Sequence, residues 1–145
     1  MRTVSMLCGG TGIAPMYQAL VKMLADPADA SVVTLLYGNK SPEDILLRKE
    51  LDALAAKHPS RLKLTHVVGA AADAKPPEGW DGEAGWIDAA RIKRLCPPPA
   101  PDTLVFVCGV PALYDVLCGP RGDAALPPES ALATLGYTKE MVFKF

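Results

Sequence analysis

Three short turns carry the residues whose types and spacing could do chemistry. In "CGGTGIAPM", Cys8 to Met16, the glycines Gly9, Gly10 and Gly12 flank Thr11 and run through Pro15 and Met16 into a segment with helical apolar spacing. Glycines permit a sharp turn and a close backbone approach, and a following helix offers free N–H groups and its positive dipole end, so this segment suits a phosphate. The same glycines also suit a turn that does no more than pack a strand tightly on a helix. The spacing is not the G-x-G-x-x-G of common dinucleotide folds, and Tyr37 to Lys40 lacks the carboxylate that would hold an adenosine ribose at the end of a second strand.

In the second turn, "YGNKSPED", Asn39 and Lys40 can hydrogen-bond or neutralise a nucleotide, and Asp44 can accept from a ribose hydroxyl. Ser41, Pro42 and Asp44 equally make a helix start, with an N-cap, a proline at the first position and a near capping box. In the third turn, "CGVPAL", Cys108 ends an apolar run and Gly109 and Pro111 lead through Leu113 into another helix. A thiol there would face the ligand edge of a sheet, although cysteine is also among the residues most often buried. Cys8 stands in a comparable position before the first turn.

The elements that must hold these turns read as strands alternating with helices. Short β-branched runs give five strands, at residues 3–8, 31–37, 61–67, 103–108 and 140–144. In the last, Met141, Phe143 and Phe145 alternate with polar or smaller residues, so one face is strongly apolar. Helices are expected from Met16 to Ala25, from Ser41 through Leu47, Leu51 and Leu54 with Asp44 pairing Arg48, from Asp88 to Leu95, from Pro111 to Cys118, and from Glu129 to Leu135. Residues 69–85 hold no period and read as a loop, with Trp80 and Trp86 anchoring it, while Arg91, Lys93 and Arg94 read as a solvated helix face. The expected fold is therefore α/β, a three-layer doubly wound sheet of five parallel strands, with ligands beyond the carboxyl ends of the strands at the switch point.

Composition narrows the partners. In 145 residues the formal net charge is −1 and no Lys/Arg stripe appears, which excludes nucleic acid as the main partner. Half the residues are apolar, enough for one core, but no run approaches the roughly 18 residues of a spanning helix, and no signal peptide is evident. Cys8, Cys96, Cys108 and Cys118 contain no C-x-x-C pair, and His58 and His66 lack ligand spacing, so reduced thiols and no metal site are expected.

Taken together, the turns resemble the NADH-binding domain of the cytochrome b5 reductase family, within the ferredoxin reductase superfamily. "GGTGIAPM" resembles that family's G-G-T-G-I-T-P-M turn, "GNKSPEDILLRKELDAL" its second-strand segment and helix, "CGVPAL" its C-G-P-P-P-M turn, and "MVFKF" its phenylalanine-ended tail. The order and spacing match over essentially the whole chain. The resemblance implies hydride transfer from NADH to FAD, followed by single-electron transfer to a haem protein such as cytochrome b5. It implies that Gly10, Thr11 and Gly12 sit at the pyrophosphate and nicotinamide, that Asn39, Lys40 and Asp44 sit near the adenosine, and that Cys108 lies beside the nicotinamide, aligning the ring without acting as a nucleophile.

Three departures stand out. Ala14 replaces a threonine near the flavin; Val110, Ala112 and Leu113 replace Pro, Pro and Met; and Gly69 falls where an acidic residue would disfavour the 2′-phosphate of NADPH. NADPH is thus admissible beside NADH. The family's flavin-binding barrel, with its R-x-Y-[ST] segment, has no counterpart here, so the chain reads as a fragment that does not turn over alone. The parent protein is expected to be cytoplasmic, on the cytosolic face of a membrane if an N-terminal anchor precedes this segment. Other readings are the reductase portion of a nitrate reductase or of a phthalate-type oxygenase, and a non-catalytic nucleotide-binding module.

Overall fold

The computed structural model describes residues 2–145. A six-stranded parallel sheet forms its centre: β1 (Thr3–Gly9), β2 (Val32–Asn39), β3 (Leu62–Val68), β4 (Glu83–Ala84), β5 (Thr103–Cys108) and β6 (Val142–Lys144), in the spatial order β4-β3-β2-β1-β5-β6. The central strands are buried on both faces, which is why their sequences run apolar without alternation. On one face, Ile13, Met16, Leu20 and Leu24 of α1 (Ile13–Ala25) and Leu51 of α2 (Arg48–Lys57) pack over Val4, Met6, Val33 and Leu35. On the other, α3 (Ala89–Leu95), α4 (Pro111–Leu117) and α5 (Ala131–Thr134) cover Leu7, Leu36, Val105 and Val107.

Among the described residues the strand count is six, not five. The extra strand lies in the segment read as a loop, where a two-residue ladder carries no periodic signal. Arg91 holds it: its Nε donates to the Glu83 carboxylate at 3.1 Å, Nη2 to the Ala84 carbonyl at 2.8 Å, and Nη1 to the Trp86 carbonyl, while Arg94 pairs with the same carboxylate. Arg91 is therefore a structural clasp and not part of a solvated face. Trp80 does anchor the loop, donating from Nε1 to the Glu83 carbonyl at 2.9 Å, but Trp86 is half exposed.

The helix expected from Ser41 is broken in two. Pro42–Asp44 form a 3-10 turn, Ile45 is extended and buried, and Leu47 adopts a left-handed conformation with φ of 58° before α2 begins. Burying Ile45 and Leu47 on the sheet outweighs continuous helix here. Arg48 consequently pairs with Asp52 at 4.0 Å and lies over the Trp80 ring, 5.2 Å from its centroid, instead of meeting Asp44. At the C-terminus, Lys139–Met141 form a 3-10 turn before β6. Phe143 is exposed but stacks edge-to-face with Phe106 and Phe145, whereas Met141 packs into the opposite core cluster.

The chain runs outward from β1 through β2, β3 and β4, then returns to lay β5 against β1's other side, so the switch point falls between the carboxyl ends of β1 and β5. There the two turns touch through backbone. A Cβ built on Gly12 would lie 2.3 Å from the Cys108 carbonyl oxygen and 3.0 Å from the Gly109 nitrogen, so only glycine permits this approach. Gly10 differs: its φ is +54°, and nothing lies within 4 Å of where its Cβ would be. Gly12→Ala should therefore cost about 3 kcal/mol, since neither backbone can give way, and Gly10→Ala only about 1–2 kcal/mol of left-handed strain. Urea unfolding of the two variants checks the order, and a reversed order would refute the contact.

One buried ionisable group makes stability depend on pH. His66 is nine-tenths buried, its Nε2 lies 3.5 Å from Asp52 Oδ1, and neither ring nitrogen makes a hydrogen bond among the described residues. Burial pulls its pKa down, against the opposing pull of Asp52 and Asp81, with Arg48 adding to the depression. A depressed folded value means that His66 contributes stability above the ordinary histidine value of about 6.5, and that this contribution is lost as pH falls through the folded value. The stability difference between pH 7.5 and 5.5 should shrink in His66→Leu, measured by chemical denaturation at both pH values; an unchanged difference contradicts the assignment.

Candidate functional site

The three turns read from the sequence come together at the carboxyl edge of the sheet. Gly9 pairs with Gly38 in the β1–β2 register, Cys8 pairs with Cys108 across β1 and β5, and the Gly69 nitrogen donates to the Asn39 carbonyl at 3.0 Å. The first turn is central. It touches the second through Gly9 and Gly38, and the third through Gly12 and Cys108.

Within the first turn, Gly10–Gly12 form a 3-10 turn that continues directly into α1, and no side chain caps either start. The N-terminal N–H groups of this helical run are thus without a side-chain acceptor, and the helix dipole adds positive potential at the same place. Thr11 and Ala14 are exposed beside it. Pro15 is half-buried in the first turn of α1, and Met16 is fully buried in the core, supporting the turn from behind and out of reach of a ligand.

Tyr37 joins the first turn to the second, and sequence reasoning passed over it as a strand residue. Its ring is fully buried, its hydroxyl donates to the Gly10 carbonyl at 2.9 Å, and it accepts from the Leu46 N–H at 3.2 Å. Burial holds its pKa above the ordinary phenol value, which keeps the donated proton in place. Nothing in the sequence signals this, because both partners are backbone atoms brought near by the fold.

In the second turn, the Asn39 side chain lies close to the Tyr37 hydroxyl, yet its buried Nδ2 finds no acceptor among the described residues. A buried unpaired donor costs about 1–3 kcal/mol, and an acceptor on a bound molecule would recover that cost. Lys40 is exposed, and Asp44 is exposed with its Oδ2 receiving the Ser41 hydroxyl at 2.9 Å. Ser41 thus binds the carboxylate and caps no N–H. Gly69 closes the far side: a Cβ there would lie 2.7 Å from that of Ala74 and 3.1 Å from the Gly85 nitrogen. The loop folded back against Gly69 leaves no room for an acidic side chain.

The structure separates the two cysteines of the switch point. Cys8 is completely buried, and burial together with the neighbouring Cys108 pushes its thiol well above the usual range. It is an inert core group. Cys108 is partly accessible at the end of β5. Beyond it, Gly109 and Leu113 pack against each other, Pro111 is exposed at the first position of α4, and a cavity of about 210 Å³ opens between Gly109, Pro111, Tyr114, Asp115, Pro120 and Arg121. The C-terminal tail borders this region. Phe145 donates its N–H to the Val107 carbonyl at 3.0 Å, Tyr114 donates its hydroxyl to the Phe145 carbonyl at 2.7 Å, and the Lys144 ammonium is held by the carbonyls of Pro120, Asp123 and Ala125.

A larger cavity, about 370 Å³, lies beside β3 and the start of β4, between Arg48, His66, Trp80 and Asp81. None of the residues of the three turns lines it. No helix among the described residues is long and apolar enough to cross a membrane.

Comparison with known proteins identifies the family. The family model described as "Oxidoreductase NAD-binding domain" matches residues 6–119. NADH-cytochrome b5 reductase 2 of Scheffersomyces stipitis is 43% identical over 146 aligned residues, covering 99% of this chain and 47% of that protein. Among solved structures, the cytochrome b5 reductase domain of Ulva prolifera nitrate reductase superposes with a TM-score of 0.82 at 34% identity, over 100% of this chain and 49% of that one. The CS-b5R domains of human Ncb5or, in the NAD+ form, superpose with a TM-score of 0.68 at 26% identity, over 98% of this chain and 36% of that one. The chain spans about half the length of the curated relatives it matches. By the match over most of its length, the chain belongs to the oxidoreductase NAD-binding domain family, with NADH-cytochrome b5 reductases among its relatives.

Proposed function

We propose that residues 1–145 are a single dinucleotide-binding domain, a three-layer doubly wound sheet, that presents NADH to the FAD of a longer cytochrome b5 reductase-like protein. The observation that carries this is the convergence of three turns at the switch point, with open space at Gly10, an uncapped helical start and an unsatisfied donor on Asn39. These features fit the ligand. The uncapped N–H groups of the first turn suit a pyrophosphate, with Gly9, Gly10, Thr11 and Gly12 as its backbone cradle and Pro15 and Met16 fixing the helix behind it. Asn39, Lys40 and Asp44 then face the adenosine: Asn39 offers its unpaired Nδ2, Lys40 its charge, and Asp44 the lone pairs its Ser41 contact leaves.

At the other end, Cys108 lies beside the nicotinamide, with Gly109, Pro111 and Leu113 shaping the third turn. When bound, NADH supplies a hydride and FAD accepts it. The residues of this chain orient the two; Cys108 aligns the ring and forms no bond to it. Electrons then pass singly to a haem protein such as cytochrome b5, through a flavin-binding domain outside this chain. A second reading, the reductase portion of a nitrate reductase, is favoured by the likeness to the Ulva prolifera domain. Both place the parent protein in the cytoplasm, on the cytosolic face of a membrane where an anchor precedes this segment.

Because Gly69 carries no carboxylate and has no room for one, nothing at that position repels a 2′-phosphate. Calorimetric titration of the chain should therefore show binding of NADH, with NADPH within about tenfold, or about 1.4 kcal/mol. A folded sample that binds neither refutes the proposal.

A further inference from the structure

We propose that Tyr37 is a positioning residue that fixes the first and second turns relative to each other, so that one linked ligand can occupy both. This rests on the dinucleotide reading above. The β1–β2 ladder aligns the strands as far as Gly9 and Gly38. Beyond that row the two turns diverge, the first into α1 and the second through Pro42–Asp44 and the extended Ile45 towards α2. The Tyr37 hydroxyl spans the divergence. It donates to the carbonyl of Gly10, the residue of the first turn with positive φ and open space beside it, and accepts from the N–H of Leu46, just past the Pro42–Asp44 end of the second turn.

The rest of the same row shows why this residue is needed. Cys108, Cys8, Tyr37 and His66 are register partners across β5, β1, β2 and β3. Cys8 is enclosed in the core, and His66 turns towards Asp52 on α2. Of the four, Tyr37 is the one long enough and rigid enough to bond backbone in two turns at once. Its ring packs in the core, so few degrees of freedom remain in the hydroxyl's position.

A ligand that bridges the two turns gains from having both subsites held at the right separation, as a linked pair gains effective concentration. Ligands that fill one turn gain nothing from that. Tyr37→Phe keeps the ring and removes the bridge. Amide chemical-shift titration, which reads millimolar binding, should show the NADH affinity of Tyr37→Phe falling about tenfold, while AMP at the second turn and inorganic pyrophosphate at the first stay within about twofold of the wild-type chain. Leu46→Pro, which removes the N–H that Tyr37 receives and follows an Ile45 already extended as a proline requires, should shift NADH binding in the same direction and serves if Tyr37→Phe does not fold. NADH binding unchanged in the variant, or an equal loss for all three ligands, overturns the inference. A wild-type chain that binds no NADH overturns the dinucleotide reading instead.

Discussion

The close approach of Gly12 to the Cys108 carbonyl is the contact on which the site depends. It joins turns separated by roughly two thirds of the chain, since β1 opens the sheet and β5 returns only after three further strands. A side chain of any size at position 12 would push the helix start away from the end of β5. The uncapped N–H groups of α1 would then point at a place the third turn no longer borders. The sheet's parallel register brings the strand ends level, but the missing Cβ lets them meet.

From that contact outward, the site is built of backbone more than of side chains. Gly10 contributes shape, the helix start contributes donors and dipole, and Tyr37 and the Gly69 N–H pin neighbouring turns through carbonyls. Backbone groups held by the sheet need little reorganisation when a ligand arrives. Lys40, Asp44, whose carboxylate receives the Ser41 hydroxyl, and the partly accessible Cys108 stand at the rim, where the proposed reading has them meet the ligand.

Much of this was legible in the sequence because it rests on local chemistry. Continuous apolar runs mark the central strands, and Gly9, Gly10 and Gly12 mark the turn that precedes α1. What was not legible depends on distant partners. Glu83–Ala84 pairs as a strand because Arg91, on a later helix, binds carbonyls and a carboxylate in that segment. The helix expected from Ser41 breaks because Ile45 and Leu47 find the sheet more favourable than a helical turn. Ser41, read as a cap, turns its hydroxyl to the carboxylate of Asp44. Tyr37 escaped notice because a hydroxyl that bonds backbone leaves no pairing pattern in the sequence. Cys8 and Cys108 look equivalent in sequence; the depth of the first turn over one of them separates a core thiol from an accessible one.

The central claim is that one ligand spans all three turns at the carboxyl edge of the sheet. Backbone amide resonances of the labelled chain, followed while NADH is added, test it most directly. The account predicts shifts concentrated at Gly10 to Ile13, Asn39 to Leu46, and Cys108 to Gly109, saturating together with a single affinity. Shifts centred on Arg48, His66 and Trp80 beside β3, or confined to one turn, would contradict it.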